Sequence, residues 1–147
     1  MKFEEIKDIL KSGDREAIIR VSSKIHNSTD IIYLRELSQH AQDFIRLISE
    51  LPVDSPFRDY RYNSLLAGNL LSEISKGNCF CVTYKTAENT PESLTHQGVI
   101  DILTKDIDIE EQTTYYTCKC KVCGANFNVT AIPTTHFERY VWKRVGC

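Results

Sequence analysis

The spacing of the apolar residues changes near Gly77, and this change constrains the fold more than any other feature of the chain. Before Gly77, apolar residues recur every three or four positions, which is the spacing of amphipathic helices. After it, β-branched and aromatic residues dominate and turn residues separate short runs, which is typical of strands. We therefore predict an α+β fold, with a helical subdomain at residues 1–76 and an antiparallel β subdomain at residues 77–147.

Four helical segments with polar breaks between them are predicted in the first half. Gly13 is placed to end the first helix, and Asp14 is a residue type that caps the start of the second. The third segment keeps its apolar spacing over residues 34–51 and ends at Pro52. Short helices of this kind suggest HEAT-like helix pairs that form one helical layer. The last helix, residues 63–75, is predicted to bury four side chains: Leu65, Leu66, Leu70 and Ile74.

Five strands are predicted in the second half, with turn residues between them. Because short links join consecutive strands, we expect an antiparallel meander of four or five strands. The link between the first two strands contains Pro91 and is predicted as a loop over residues 87–95. The predicted strands are Cys79–Tyr84, Gly98–Leu103, Thr113–Cys120, Ala125–Ile132 and Phe137–Val145.

Length, charge and the start of the sequence narrow the class of protein. The chain has 147 residues, which suits one domain, and its 41% hydrophobic and 26% charged residues are typical of a globular protein. The net charge of −2 is shared by both halves, so no basic half favours nucleic acid. The acidic residues near the start argue against a signal peptide, and the short apolar runs argue against a membrane span. We therefore expect a cytoplasmic protein whose six cysteines form no structural disulfides.

Five of the six cysteines lie in two tight groups. The first is the C-x-C pair Cys79 and Cys81; after 36 intervening residues, a C-x-C-x2-C-G motif holds Cys118, Cys120 and Cys123. Two thiolates three residues apart, followed by glycine, form a tight turn in which both sulfurs can face one ion. Zn²⁺ prefers four tetrahedral ligands, and the C-x-C pair can supply the other two. We predict a structural, zinc-ribbon-like Zn²⁺ site at Cys79, Cys81, Cys120 and Cys123, with no open ligand position.

The same cysteine pattern leaves alternatives for individual ligands. In a flat strand the sulfurs of Cys79 and Cys81 lie on one face but far apart, so we expect a bend or bulge there. Cys118 shares a strand face with Cys120; it could replace Cys79 or Cys81 as a ligand, or fill the core as a small apolar residue. His136 could also reach the site, although a surface or packing role is favoured.

Little in the sequence indicates catalysis. The sequence contains no phosphate-binding loop, dinucleotide motif or nucleophile elbow. A C-x-x-C redox motif opens a helix, whereas this one lies in a β turn. Because cysteines bound to a metal cannot attack a substrate, we predict that the protein is not an enzyme. Without a metal, the cysteines would be buried apolar residues.

Two surface segments are candidates for contacts with a partner. Residues 106–111 alternate acids with isoleucines. This alternation predicts a half-buried strand or its exit loop with a solvated face, or else an acidic patch that meets a basic partner. Residues 56–62 are dense in aromatics and arginine, which are residue types that anchor protein interfaces.

The cysteine groups and their neighbours carry a resemblance to a known group of proteins. The shared pattern runs G-x-C-x-C-x-x-Y, then a glycine-bearing strand, then Y-x-C-x-C-x-x-C-G and an aromatic, with a histidine and a W-K pair near the end. In these motifs the chain resembles small bacterial cytosolic proteins of the polymorphic-toxin immunity type, which have HEAT-like N-terminal helices. The matching residues are Gly77, Cys79, Cys81, Tyr84, Gly98, Tyr116, Cys118, Cys120, Cys123, Gly124, Phe127, His136, Trp142 and Lys143.

The resemblance implies an immunity-type binding protein that neutralises a cognate bacterial toxin domain by tight protein–protein binding, with zinc in a structural role. Its partner would be the toxin protein, with no membrane involved and nucleic acid disfavoured. Exposed acids would suit a basic nuclease toxin. The alternative is a zinc-ribbon-like nucleic-acid-binding or scaffold module. Its basic patch would consist of Lys119, Lys121, Lys143 and Arg144.

Overall fold

Helices come first along the chain and a four-stranded antiparallel sheet follows, which confirms the predicted α+β class. The structure is a computed structural model that describes residues 1–53, 59–84 and 89–146. Its contacts divide the chain into two compact units, Met1–Phe80 and Cys81–Cys147. Within the described ranges, no helix combines the length and the apolar character needed to cross a bilayer.

The first unit is built around its last helix, which packs against three of the other four. This helix, α5, contacts α2, α3 and α4, whereas α1 packs against α2 and α4. Each helix buries one apolar stripe, so the unit has a single core between them. Among the described residues of this unit, the helices are α1 (Phe3–Ser12), α2 (Arg15–His26), α3 (Ile31–Ser38), α4 (Ala41–Ser49) and α5 (Tyr62–Ser75).

The ends of the first helices follow the residues that predict them. Gly13 ends α1 in the left-handed region at a φ of 73°, where a residue without Cβ is unstrained. The Asp14 side chain caps α2 by accepting a hydrogen bond from the backbone N–H of Ala17 at 3.3 Å. Asp30 caps α3 in the same way, with the N–H of Tyr33 at 3.1 Å. These caps confirm the predicted breaks.

The segment predicted to run unbroken over residues 34–51 is two helices, so that prediction is wrong. The backbone N–H of His40 donates to the carbonyl of Leu37, three residues back and not four as in an α-helix. The chain therefore turns here, and α4 begins after this turn. The His40 ring stacks on Phe3 of α1 with the ring centroids 4.3 Å apart. Because buried apolar residues keep their spacing across the break, the pattern alone does not show it.

The buried face of α5 differs from the predicted one. Leu70 and Ile74 are buried as predicted, but Leu65 is 53% exposed and Leu66 is only half-buried. The helix buries Ser64 and other small residues instead. The positions of the large apolar residues predicted the buried face of this helix only in part. A helix packed closely against several neighbours presents its small residues to them.

Two small residues show how closely α5 approaches its neighbours. The Ser64 hydroxyl is buried and lies 2.7 Å from the hydroxyl of Ser22 on α2, so one of the two hydroxyls donates a hydrogen bond to the other. A Cβ placed on Gly68 would meet the side chains of Ile45 and Ile48 of α4 at 3.4 Å. Neither position leaves room for a large side chain.

The second unit is a sheet with one short helix beside it. The strands follow each other in the order β1-β2-β3-β4, and every neighbouring pair is antiparallel. A bulge between Ile102 and Thr104 shifts the register of β1 against β2. The elements are α6 (Pro91–His96), β1 (Ile100–Asp108), β2 (Thr113–Cys120), β3 (Asn126–Pro133) and β4 (Glu138–Val145).

Two predictions about the start of this half are wrong. The predicted strand over residues 79–84 is a 3-10 helix, Phe80–Thr83, so the four remaining strands make the sheet. The predicted loop over residues 87–95 contains most of α6 and begins outside the described residues. The Thr90 hydroxyl caps α6 by accepting from the N–H of Ser93, and Pro91 occupies the first turn. Pro91 therefore starts a helix here.

The two candidate contact segments lie largely at the surface. In the acidic segment, Ile107 is 64% exposed and Ile109 is 84% exposed, so the strand end and its turn are solvated on both sides. The aromatic segment over residues 56–62 begins outside the described residues. Its Tyr60 lies under the Arg15 guanidinium, 5.3 Å from the ring centroid, and donates a hydrogen bond to the carbonyl of Pro52.

Candidate metal centre

The C-x-x-C-G motif forms a tight turn at the end of β2. The backbone N–H of Cys120 donates to the carbonyl of Ala125 at 2.8 Å, which closes the β2–β3 hairpin. The N–H of Gly124 donates back to the carbonyl of Cys120 at 2.9 Å. Gly124 has a φ of 79°, a conformation that glycine adopts without strain. This turn folds Cys123 back towards Cys120.

The C-x-C pair lies where the chain enters the second unit. Cys81 is the first residue of that unit and sits in the 3-10 helix, and Cys79 precedes it by two residues. The backbone N–H of Tyr84 donates to the carbonyl of Cys81, so the chain turns here. The sequence predicts a bend at this pair, because a flat strand would hold the two sulfurs too far apart. The 3-10 helix provides that bend.

The sulfur atoms of Cys79, Cys81, Cys120 and Cys123 all lie within 4.8 Å of one another. Those of Cys81 and Cys123 are 3.5 Å apart. Four sulfurs at about 2.3 Å from one Zn²⁺ lie about 3.8 Å apart along the edges of the tetrahedron. The cluster therefore has the dimensions of an S4 metal site, and these four cysteines could hold a metal ion.

The four cysteines differ in their access to solvent, and none of the described cysteines is in a disulfide. Cys120 and Cys81 are buried, at 0% and 1% exposure, whereas Cys79 is intermediate and Cys123 is exposed. A metal ion here would be reached from the side of Cys123. An exposed turn in front of buried ligands gives an ion a path into the site.

Cys118 lies outside the cluster. Its side chain is fully buried on the inner face of the sheet, opposite Ile102 of β1 and Phe127 of β3. Burial raises the pKa of the Cys118 thiol to about 11, with a smaller contribution from the Glu92 carboxylate. Cys118 is thus a neutral, packed thiol at pH 7. Of the two roles that the sequence leaves open for it, the structure favours the small core residue.

His136 lies in the turn between β3 and β4, at the far end of β3 from the cysteines. β3 begins beside Lys119, next to the cluster, and runs for 8 residues before that turn. At about 3.3 Å per residue this is about 26 Å, so the imidazole cannot reach the sulfurs. The idea that His136 joins the site is wrong, and the residue is exposed as the favoured alternative predicts.

Three aromatic rings pack against one another on the inner face of the sheet. Trp142 meets Tyr84 and Phe127 edge to face, with centroids 5.4 and 5.7 Å away. The indole N–H of Trp142 donates to the carbonyl of Asn89 at 3.1 Å. The motif pattern contains all three rings, and the structure gives them a packing role next to Cys118.

A polar network that the sequence analysis missed joins α6 to the sheet. The Tyr116 hydroxyl donates to the Glu92 carboxylate at 2.6 Å, and the Lys105 ammonium donates to the same oxygen at 3.1 Å. Burial opposes ionisation of Glu92, but these hydrogen bonds outweigh it and lower the pKa of the carboxyl. Burial, and then the bond to Glu92, raises the pKa of Tyr116. No sequence spacing links α6 with β2, so the pair is not predictable from a motif.

The four basic residues of the alternative reading do not form one patch. Lys143 and Arg144 are neighbours on β4, so their side chains point to opposite faces of the sheet. Lys121 lies 3.9 Å from the Asp101 carboxylate, which offsets its charge. The predicted basic surface is therefore divided between the two faces.

The donor set decides which chemistry the centre can support. Four cysteine sulfurs clustered within 4.8 Å of one another suit Zn²⁺ or iron bound by sulfur. With all four positions supplied by protein, such a site keeps no open position for a substrate or a water. In comparisons with known proteins, no family model, curated protein or solved structure matches this chain.

Proposed function

We propose that the four-cysteine cluster holds one structural Zn²⁺. The observation that carries this proposal is the mutual distance of the four sulfurs, 4.8 Å or less. Cys81 and Cys120 are far apart in sequence, and a 3-10 helix and a hairpin turn place their thiols together. An ion adds folding free energy directly, because the unfolded chain has no preformed site.

We further propose that the protein is an immunity-type binding protein, active in the cytoplasm, rather than an enzyme. Two observations support this function. The cysteine motifs resemble those of polymorphic-toxin immunity proteins, and an all-cysteine donor set serves structure better than catalysis. A metal that stiffens the sheet lowers the ordering cost of an interface, which favours tight binding of a toxin domain.

The metal is tested by elemental analysis of the purified full-length chain. We expect close to one zinc per chain, and loss of the metal in Cys120→Ser and Cys123→Ser. The matched control is Cys118→Ala, which removes a cysteine two residues from Cys120 but outside the cluster. It should lose stability through packing and keep its zinc. Zinc lost from this control to the same extent would contradict the ligand set.

The toxin partner is tested by co-purification with the product of the neighbouring gene. We expect a stable complex, and rescue of cells that express that product when this protein is supplied. A nucleic-acid affinity that falls steeply with added salt, without such a complex, would contradict the immunity function and favour the nucleic-acid module.

A further inference from the structure

Among the described residues, the side of the sheet that faces away from the aromatic rings carries exposed side chains. Side chains alternate along each strand, so β2 points Tyr115 and Thr117 to this open face and buries Tyr116 on the other. Tyr115 is 47% exposed, and Val141 on β4 is 39% exposed. The open face carries a shallow groove of about 430 Å³, with Asn128 among its lining residues.

The β1 edge of the open face is acidic. The strand register aligns Asp106 of β1, Tyr115, Thr130 and Val141 of β4 in one row across the sheet. Asp108 lies on the same face two residues further along β1, so the β1 edge is acidic.

The opposite edge of the open face is basic. Arg139 and Lys143 flank Val141 along β4 and point to the same side. Between the edges the central strands carry hydroxyl and amide side chains, and the hydroxyls of Thr104 and Thr117 bond to each other at 2.6 Å. Lys119 of β2 points to the same side and lies opposite Asp101 of β1. The open face is thus acidic along β1 and basic along β4.

Such a face is complementary to a second copy of itself in one orientation. Two sheets packed face to face about a two-fold axis parallel to the strands place β1 of each copy over β4 of the other. Asp106 then lies opposite Val141, between Arg139 and Lys143 of the second copy, and Tyr115 of each copy enters the groove of the other. An axis perpendicular to the strands would place β1 over β1, with acid facing acid. The charges therefore select the first axis.

The size of the face sets the expected strength of this contact. Four strands of eight residues cover about 19 by 26 Å, or about 500 Å² on each copy. Two copies would bury about 1,000 Å² in total, which is at the lower end for specific interfaces. The polar centre of the face also favours a contact that forms and dissociates rather than a permanent one.

We infer that the open face is a dimerisation surface, on which two copies of the chain pair weakly, β1 over β4. This inference does not depend on the proposed toxin binding. It is tested by sedimentation velocity of the full-length protein over a range of concentrations at low salt. The mean mass should rise with concentration from one 16.9 kDa chain towards two. A mass that stays at one chain throughout would overturn the inference.

Charge reversal tests the orientation of the pair. Arg139→Glu/Lys143→Glu makes both edges acidic, and Asp106→Lys/Asp108→Lys makes both edges basic. Each variant alone should remain monomeric, but an equimolar mixture should form a heterodimer, because each acidic edge then meets a basic one. The control Lys11→Glu/Lys24→Glu changes the net charge equally on the helical unit and should dimerise like the wild type.

The zinc content and circular dichroism of each variant show whether it is folded. If the β1 double variant fails to fold, Asp106→Lys alone replaces it in the mixture. A mixture that stays monomeric, or a β4 variant that still dimerises by itself, would overturn the proposed orientation whatever the metal analysis shows.

Discussion

The two units of this chain differ in how completely they bury their largest side chains. Among the described residues, nine of the twelve largest fully buried side chains belong to the helical unit, and only Ile100, Val129 and Pro91 belong to the sheet unit. Large side chains of the sheet unit such as Tyr116, Phe127 and Trp142 keep 5–7% exposure, and a unit of about 70 residues commonly gains stability from a disulfide or a metal. The sheet unit spans residues 81–147 and contains three of the four clustered cysteines. With the proposed Zn²⁺ bound, helix packing would stabilise the first unit and the metal ion the second.

The largest expected effect is that removal of the metal destabilises the sheet unit and not the helical unit. We expect a zinc chelator to unfold the sheet unit, because the binding free energy of a structural Zn²⁺ is on the order of 10 kcal/mol. The helical unit should keep its structure. Hydrogen exchange followed by mass spectrometry checks this, with amides of β2 and β3 losing protection while those of α2 and α5 retain it. Equal loss of protection in both units would contradict the separate origins of their stability.

Truncation of a core side chain in the helical unit should destabilise that unit and leave the metal site intact. Phe44 is fully buried in the helical unit, and Phe44→Ala should cost about 3–5 kcal/mol through lost burial and the cavity left behind. The metal content should stay unchanged. Denaturant unfolding of the holoprotein, with zinc measured in parallel, gives both values. Loss of zinc from this variant would show that the helical core and the metal site depend on each other.

A smaller effect is expected where α5 approaches α4. A Cβ at position 68 would already touch Ile45 and Ile48 at 3.4 Å, so the additional methyl groups of valine must displace them. Gly68→Val should therefore destabilise the helical unit by about 1–3 kcal/mol. Leu65→Ala is the matched control on the same helix. Because Leu65 is 53% exposed, its truncation should change the unfolding free energy by about 0.5 kcal/mol or less. A larger cost at Leu65 than at Gly68 would contradict the buried face assigned to α5.

The weakest expected effect concerns the polar network of the sheet unit, and it depends on pH. Tyr116→Phe removes the hydrogen bond to Glu92 and should cost about 1 kcal/mol at pH 7. The pKa of Glu92 is lower in the folded chain than its ordinary value of 4.5. Its stabilising contribution is therefore complete above that value and is lost as the pH falls through the folded pKa. The difference between wild type and variant should shrink in urea unfolding below pH 4, and a difference that grows there would contradict this linkage.

The sequence predicted correctly those features of the fold that depend only on interactions between residues close together along the chain. Gly13 and Asp14 mark helix ends because capping needs only a residue and its immediate neighbours. The β-branched and aromatic residues over 113–120, bounded by turn residues, likewise predicted β2 with its bounds. The spacing C-x-C and C-x-x-C-G predicted which four sulfurs come together, since each pair is constrained by its own turn.

The remaining features depend on contacts between distant residues. The aromatic and β-branched residues around Cys81 favour a strand, but the sheet contains no partner strand for them and the segment turns as a 3-10 helix. The exposure of Leu65 follows from the small residues that α5 presents to its neighbours. Glu92 and Tyr116 meet only because α6 packs beside the sheet. None of these contacts leaves a periodic signal in the sequence.

We propose that sulfurs from two segments distant in sequence surround one zinc ion. X-ray absorption at the zinc K-edge of the purified full-length protein tests it most directly, because the spectrum reports the type, number and distance of the ligands. We expect four sulfur neighbours at about 2.3 Å and no nitrogen or oxygen neighbour. A protein that binds no metal, or zinc with fewer than four sulfurs, would contradict it.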